Sequence, residues 1–257
     1  MAVIADTTPI AVITGGSRGL GRNAALKLAG HGVDVLLTYR SNRGEAESVV
    51  AQIQAAGRRA AALPLDVSVS SGFAAFATQV RETLRKTWQR ERFNFLLNNA
   101  GTGIHASFAE TTEAQFDEMV AIHLKSAFFL TQRLLPLLAD GGRILNVSSG
   151  LTRFAFPGFA AYASMKGAVE VLTRYMAKEL GARRISVNTI APGAIATDFG
   201  GGMVRDNAQV NAQIASLTAL GRVGEPDDIG GVIASMLSDE TGWINGQRIE
   251  ISGGVLL

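Results

Sequence analysis

The chain reads as short apolar runs separated by longer segments in which apolar residues recur every three or four positions. IAVIT (10–14), VDVLLTY (33–39), RAAALPL (59–65), FNFLLN (93–98), RILNVSS (143–149), RISVNTI (184–190) and QRIEIS (247–252) are mostly aliphatic and β-branched, and they predict strands. LGRNAALKLAGHG and the stretches near 43–56, 73–90, 113–138, 159–181 and 227–238 predict helices. Pro226 followed by Asp227 and Asp228 marks a helix start, with proline at the first position and acids against the positive end of the dipole. Apolar strands alternating with helices predict an α/β fold: a doubly wound, Rossmann-type parallel sheet of about seven strands, with helices on both faces. No linker-like composition or fixed-period repeat divides residues 1–257, so one domain is expected to bind both cofactor and substrate. In such sheets ligands bind at the carboxyl ends of the strands.

Composition narrows the classes. With 257 residues, 47% of them hydrophobic, and a formal charge of +2, the chain has the material for a buried core. It has no block of like charge for nucleic acid or a membrane surface. The lack of cysteine removes disulfides, thiolate nucleophiles and Cys-ligated metals, and no metal is expected. MAVIADTTPI has neither the basic start nor the apolar run of a signal peptide. The longest apolar stretch, AIHLKSAFFLTQRLLPLLA, is interrupted by Lys125 and Arg133, short of the ~20 apolar residues that span a bilayer. A soluble, cytoplasmic protein with no nucleic-acid or membrane partner is expected.

TGGSRGLG (14–21) joins the first strand to the first helix. Gly15, Gly19 and Gly21, with Ser17, Arg18 and Leu20 between them, predict a tight turn. Its backbone and the helix N-terminus would cradle a pyrophosphate. The same letters match the G-x-S-x-G elbow of serine hydrolases. That chemistry needs a later acid and then a histidine. The histidines are His31, His105 and His123, none in the final half, and an elbow on the first strand has no preceding loop for an oxyanion hole. The second strand ends in Thr38-Tyr39-Arg40-Ser41, where an NAD site carries an acid for the ribose 2′-hydroxyl. Arg40 offers a planar, permanently charged fork to a 2′-phosphate, and Arg18 can approach the same group. NADP(H) is expected in preference to NAD(H).

AAYASMKGAV (160–169) sets Tyr162 four positions before Lys166 among small residues, so on a helix the two share a face. Further along the chain stand Asp66-Val67, NNAG (98–101), Ser148-Ser149, and Pro192-Gly193 with Thr197. With these motifs in order, the chain from about Pro9 to Gly254 resembles the single-domain branch of the short-chain dehydrogenase/reductase family. The resemblance implies that Tyr162 is the general acid/base, that Lys166 lowers its pKa and binds nicotinamide ribose, and that Ser149 holds the substrate oxygen. Bringing a phenol from its usual pKa near 10 to ~7 asks for about 4 kcal/mol of preference for phenolate. The resemblance also assigns Asp66 and Val67 to the adenine, and Asn99, Ala100 and Gly101 to the adenosine ribose. Ile195 and Thr197 go to the carboxamide, and Pro192-Gly193 to a backbone that leaves room for the ring. Where the family has an asparagine that holds a relay water, this chain has His123. It either keeps the relay and adds pH sensitivity, or it fills space. The family habit further implies a homotetramer, built through the two long middle helices and the C-terminal segment.

Leu151, Phe154, Phe156 and Phe159 are candidates for an aromatic wall beside the reacting carbon, and TDFGGGMVRDNAQVNAQIASL (197–217), with Met203, for a mobile lid. The implied activity is NADPH-dependent hydride transfer between nicotinamide and a carbonyl or secondary alcohol, preferably reduction of an apolar ketone as small-molecule substrate. One alternative is reduction of a 3-oxoacyl thioester on acyl carrier protein, an acidic partner for which Arg183 and Arg184 offer a basic rim. Polyol or sugar oxidation fits the aromatic wall less well. From another class comes a non-catalytic NADP(H) sensor or scaffold, which only His123 favours.

Overall fold

Seven strands, β1 (Ile10–Ile13), β2 (Asp34–Tyr39), β3 (Ala60–Pro64), β4 (Phe93–Asn98), β5 (Leu138–Val147), β6 (Ser186–Pro192) and β7 (Arg248–Ile251), form one sheet in a computed structural model that describes residues 7–257. The strand order is 3-2-1-4-5-6-7 and every pairing is parallel. The order reverses between β1 and β4, which opens a crevice at their carboxyl ends. Residues 1–6, part of the sequence read above for targeting signals, lie outside the described residues.

The helices are α1 (Gly19–Gly30), α2 (Arg43–Ala55), α3 (Phe73–Thr83), α4 (Glu113–Met119), α5 (Thr131–Leu134), α6 (Ala160–Leu180), α7 (Met203–Asp206), α8 (Ala208–Ser216) and α9 (Pro226–Met236). Strand side chains alternate between two cores. Ala11 and Ile13 face the core under α1, α2 and α9, while Ile10 and Val12 face the core under α3, α5 and α6. Leu97 and Leu96 divide in the same way, and Leu97 is fully buried. Cutting such a leucine to alanine costs about 2–5 kcal/mol. Among the described residues, no helix is long and apolar enough to cross a membrane.

The structure departs from the predicted elements in two informative places. The helix expected over 113–138 is α4, then a π-helical stretch at Val120–Leu130, then α5 and a 3-10 turn at Leu135–Leu137 that contains Pro136. The widened stretch carries His123, and there the Ser126 hydroxyl donates to the Ile122 carbonyl. The fifth strand begins at Leu138 rather than at 143, because Leu138, ahead of the DGG segment, already pairs with Phe93 before a register shift. Proline opens α9 as expected, beside a capping box between Glu225 and Asp228.

Candidate active site

The glycine turn is fastened to its neighbours by two threonines. Thr14 Oγ1 accepts from the backbone N–H groups of Asn99 and Ala100, each at 2.9 Å. Thr38 accepts from Gly15 N through its hydroxyl (3.1 Å) and from Gly16 N through its carbonyl (2.8 Å). The Asn99 amide donates to the carbonyls of Thr14 (2.9 Å) and Gly15 (3.1 Å), so its side chain shapes the turn. A Cβ on Gly21 would lie 2.1 Å from Gly15 O, while Gly19, at φ +54°, has only Thr197 Cβ at 3.9 Å. Helix α1 has no acid in its first turn and no side-chain cap at Arg18. Its first N–H groups and the positive end of its dipole thus have neither an acid nor a side-chain cap of their own, which fits a dinucleotide pyrophosphate. The sequence reading missed Thr14 and Thr38, although both adjoin residues it named.

Arg40 and Arg18 stand at the mouth of this cradle with side chains 72% and 70% exposed. Arg40 Nε lies 3.4 Å from Asp66, and Arg18 Nε lies 3.6 Å from Asp198. The Asp66 carboxylate accepts from the Ser68 hydroxyl (2.6 Å) and backbone N–H (2.9 Å). Those bonds hold its pKa below the usual value, with Arg40 a smaller contribution. Tyr39 is half-buried and Ser41 exposed.

Helix α6 brings Tyr162 and Lys166 together at the end of β5. Both are nearly enclosed, at 8% and 5% exposure, and Lys166 Nζ lies 5.5 Å from the Tyr162 ring centroid. Lys166 donates to Val147 O at 2.8 Å, and burial lowers its pKa to about 8. Burial pushes the Tyr162 phenol well above its ordinary value, and a hydrogen bond with Ser149 opposes that rise. The low phenol pKa implied by the resemblance is therefore not a property of the chain without cofactor. Burial disfavours the phenolate, and the phenol is held protonated, the form a proton donor needs. Ser149 caps the turn Gly150–Thr152, and its hydroxyl accepts from Leu151 N at 3.2 Å.

His123 is 3% exposed and stands edge-on to Tyr162, ring centroids 5.1 Å apart. Its Nε2 lies 2.8 Å from Thr102 O, an acceptor, so the ring proton sits on Nε2. Nδ1 is buried with no hydrogen-bond partner. Burial and then the Lys166 charge pull the imidazole down to about 3, against the Thr102 carbonyl. The expected pH sensitivity near neutrality is corrected: the ring stays neutral far below pH 7. It does line a small cavity of ≈ 10 Å³ together with Lys166, Asn98 and Asn146, enough for about one water.

The aromatic wall is also rearranged. Phe154 packs on Phe156 and lies against Gly150 and under Arg153, while Phe159 meets His105. Leu151 packs against the small cluster containing Tyr162 and Met165. Besides His123, the ring against Tyr162 is that of Phe199, centroids 5.9 Å apart and the residue 45% exposed. It lay inside the predicted lid unnamed, and its only signal was its place before three glycines. Gly200, Gly201 and Gly202 all have positive φ, and Met203 beyond them is exposed. Gly193 leaves no room for a side chain, since a Cβ there would come 2.9 Å from Ser252 Cα. Beside it Pro192 ends β6, Ile195 pairs with Gly224, and Thr197 Oγ1 accepts from Phe199 N. The basic rim is misplaced. Arg183 precedes β6 at the opposite end of the sheet and is tied to Asp140 (2.7 Å) and to Leu135 O (3.0 Å).

A seven-stranded doubly wound sheet with this cradle at its switch point defines a Rossmann-type fold. The chain belongs to the short-chain dehydrogenase/reductase family: a family model described as Enoyl-(Acyl carrier protein) reductase matches residues 15–256. An uncharacterized oxidoreductase of Methylorubrum extorquens is 35% identical over 96% of this chain and 97% of its own. The tetrahydroxynaphthalene reductase PfmaG of Pestalotiopsis fici is 33% identical over 95% and 90%. Among solved structures, the promiscuous reductase LugOII, which catalyses keto-reduction at C1 during lugdunomycin biosynthesis, is 38% identical with a TM-score of 0.92, covering 98% of this chain and 100% of its own. The angucycline C-6 ketoreductase LanV with bound NADP is 36% identical with a TM-score of 0.91, covering 96% and 95%.

Proposed function

We propose that this oxidoreductase is a cytoplasmic, NADPH-dependent ketoreductase whose substrate is an apolar ketone built on fused rings. The observation that carries the reading is the enclosed Tyr162 phenol, kept protonated by burial, hydrogen-bonded to Ser149 and next to Lys166. NADPH, when bound, supplies the hydride for the carbonyl carbon. Ser149 donates a hydrogen bond to the carbonyl oxygen, and Tyr162 gives that oxygen its proton, so the ketone leaves as a secondary alcohol. Lys166, charged at neutral pH, stabilises the phenolate that this step creates. Arg40 and Arg18 receive the 2′-phosphate. Phe199, half-exposed over the phenol, supplies an aromatic face to a flat substrate. The names of LugOII and LanV support keto-reduction, and that of PfmaG, a tetrahydroxynaphthalene reductase, supports a fused-ring substrate. The carrier-protein alternative loses its support with Arg183 at the far end of the sheet. Assembly with further copies is supported by exposed Phe128, Phe129, Val171 and Tyr175 on two elements that pack together.

Loss of NADPH absorbance with α-tetralone and a set of larger fused-ring ketones tests the reading. Tyr162→Phe abolishes reduction and leaves NADPH binding intact. Full activity in that variant refutes the proton-donor role, and tight NADPH binding without turnover of any ketone favours the sensor.

A further inference from the structure

Behind Ser149 runs a chain of alternating charges. Glu170 follows Lys166 by four residues on α6, so phenol, ammonium and carboxylate share one helix face. A single Glu170 oxygen, Oε1, lies 2.7 Å from Ser148 Oγ, 2.8 Å from Thr152 Oγ1 and 2.8 Å from Arg248 Nε. Its side chain is 14% exposed, and that of Arg248 is 24% exposed. Arg248, from β7, also reaches the Ser149 carbonyl at 3.4 Å and Glu250 at 2.9 Å. Glu250 in turn takes both arms of Arg153, at 2.7 and 2.8 Å, the residue just past the Ser149 turn. These bonds reach the residue before Ser149, its own carbonyl and the far end of its turn. Among the described residues, the Ser149 hydroxyl itself meets Leu151 N and the phenol.

We infer that Glu170 and Arg248 are positioning residues for the reaction: their ion pair fixes the Ser149 turn against Tyr162, and neither touches substrate or cofactor. This rests on the role given to Ser149 above. The physical argument is one of registration. The phenol rides on α6 and the serine on the loop after β5, and a hydrogen bond to a carbonyl oxygen shared between them requires the two elements to keep one spacing. A half-buried, charge-assisted clamp does this better than van der Waals packing, because its geometry is directional. Glu170 is on the same rigid helix as Tyr162, so anchoring the loop to Glu170 references Ser149 to the phenol directly.

The test is a double-mutant cycle on the full chain, assayed with NADPH and α-tetralone. Glu170→Ala lowers kcat about 10- to 100-fold, the loss expected when a reacting group is displaced by about 1 Å, while the KM for NADPH stays near the parental value. Glu170→Gln keeps acceptors for Ser148 and Thr152 but loses the charge facing Arg248, so it falls between the two. If the alanine variant does not fold, the glutamine variant is carried through the cycle in its place. Ser149→Ala combined with Glu170→Ala is no slower than Ser149→Ala alone, because the clamp acts only through the serine. Losses that multiply, or parental kcat in Glu170→Ala, overturn the positioning role. Parental kcat in Ser149→Ala instead overturns the reading of the site itself, and the positioning role with it.

Discussion

Gly101→Ala puts the placement of His123 to a direct test. The Gly101 backbone is not in the left-handed region, so alanine is tolerated conformationally, and the consequence is purely steric. A Cβ there would stand 2.9 Å from His123 Cε1 and 3.4 Å from Nδ1. Ordinary contacts begin near 3.4 Å, so the ring must move by about half an ångström or more. It has little freedom to do so, with Tyr162 edge-on at 5.1 Å and Thr102 O at 2.8 Å. Overpacking of this kind costs about 1–3 kcal/mol, and a ring that swings away leaves two buried polar groups unpaired at about 1–3 kcal/mol more. A net loss of about 2–4 kcal/mol lowers the melting temperature by about 5–15 °C in a chain of this size. Because the displaced ring abuts the phenol, kcat falls about tenfold or more.

The decisive measurement is rescue. In His123→Asn the atom that a new Cβ would strike is gone, so Gly101→Ala in that background costs under about 1 kcal/mol, giving a coupling energy above about 1 kcal/mol by differential scanning calorimetry. Equal melting-temperature losses in the two backgrounds would refute the placement of the imidazole over Gly101 and, with it, the account of the tautomer.

Three other outcomes follow from the same geometry. Arg40→Leu lowers the ratio of kcat/KM with NADPH to that with NADH by about tenfold or more, as expected for losing a charge-assisted fork; NADH kinetics stay unchanged, and equal losses on both cofactors exclude contact with the 2′-phosphate. Asp34→Asn weakens a fully buried carboxylate that accepts from Arg59 Nε (3.0 Å) and Trp88 Nε1 (2.9 Å) and pairs with Arg58. It costs about 3 kcal/mol in urea titration while leaving kcat untouched, since it sits at the amino end of β2, away from the site. His123 has a folded-state pKa near 3 against 6.5 when unfolded, so the unfolded chain binds the extra proton between those values. Stability therefore falls as pH drops from about 6.5 toward 3, by about 1.4 kcal/mol per unit from this group. His123→Asn makes urea-unfolding curves across pH 4–6.5 shallower in pH by that slope, and an unchanged slope means that the ring is not held neutral.

The fold was legible because its signals are local. β1 needed only its four apolar residues, and α9 its proline and acids. Much of the cofactor cradle was legible for the same reason, since a glycine turn is contiguous in sequence. Partnerships between distant residues were not. Thr14 and Thr38 are ordinary strand-end threonines until three strands are laid side by side, and the bracing of the turn by Asn99 shows only when Gly15 O is beside it. The three phenylalanines and one leucine between Ser149 and Tyr162 shared a segment with the site but point to different neighbours, while Phe199 reaches Tyr162 from a loop thirty-seven residues on. The sign of the Tyr162 shift was illegible for another reason. It depends on how far the cluster is desolvated, and one sequence gives no measure of that.

The same contrast explains why the middle of the sheet can hold a buried ammonium. Under Lys166 the strands are not wholly apolar. Asn98 donates to Thr131 (3.0 Å) and to Asn146 (2.8 Å), Asn146 donates to Thr173 (2.8 Å), and Thr189 meets Thr173 at 2.7 Å. Every step joins a strand to its neighbour or to the helix on its face, and each donor finds an acceptor, so the chain of amides and hydroxyls is buried without leaving a group unpaired. This polar floor ends at the small cavity shared by Lys166, His123, Asn98 and Asn146. A cation enclosed by hydrocarbon alone would lose its proton well before neutral pH. Burial lowers Lys166 to about 8, which still leaves it charged at pH 7, with the polar floor beneath it and the Val147 carbonyl accepting from it at 2.8 Å.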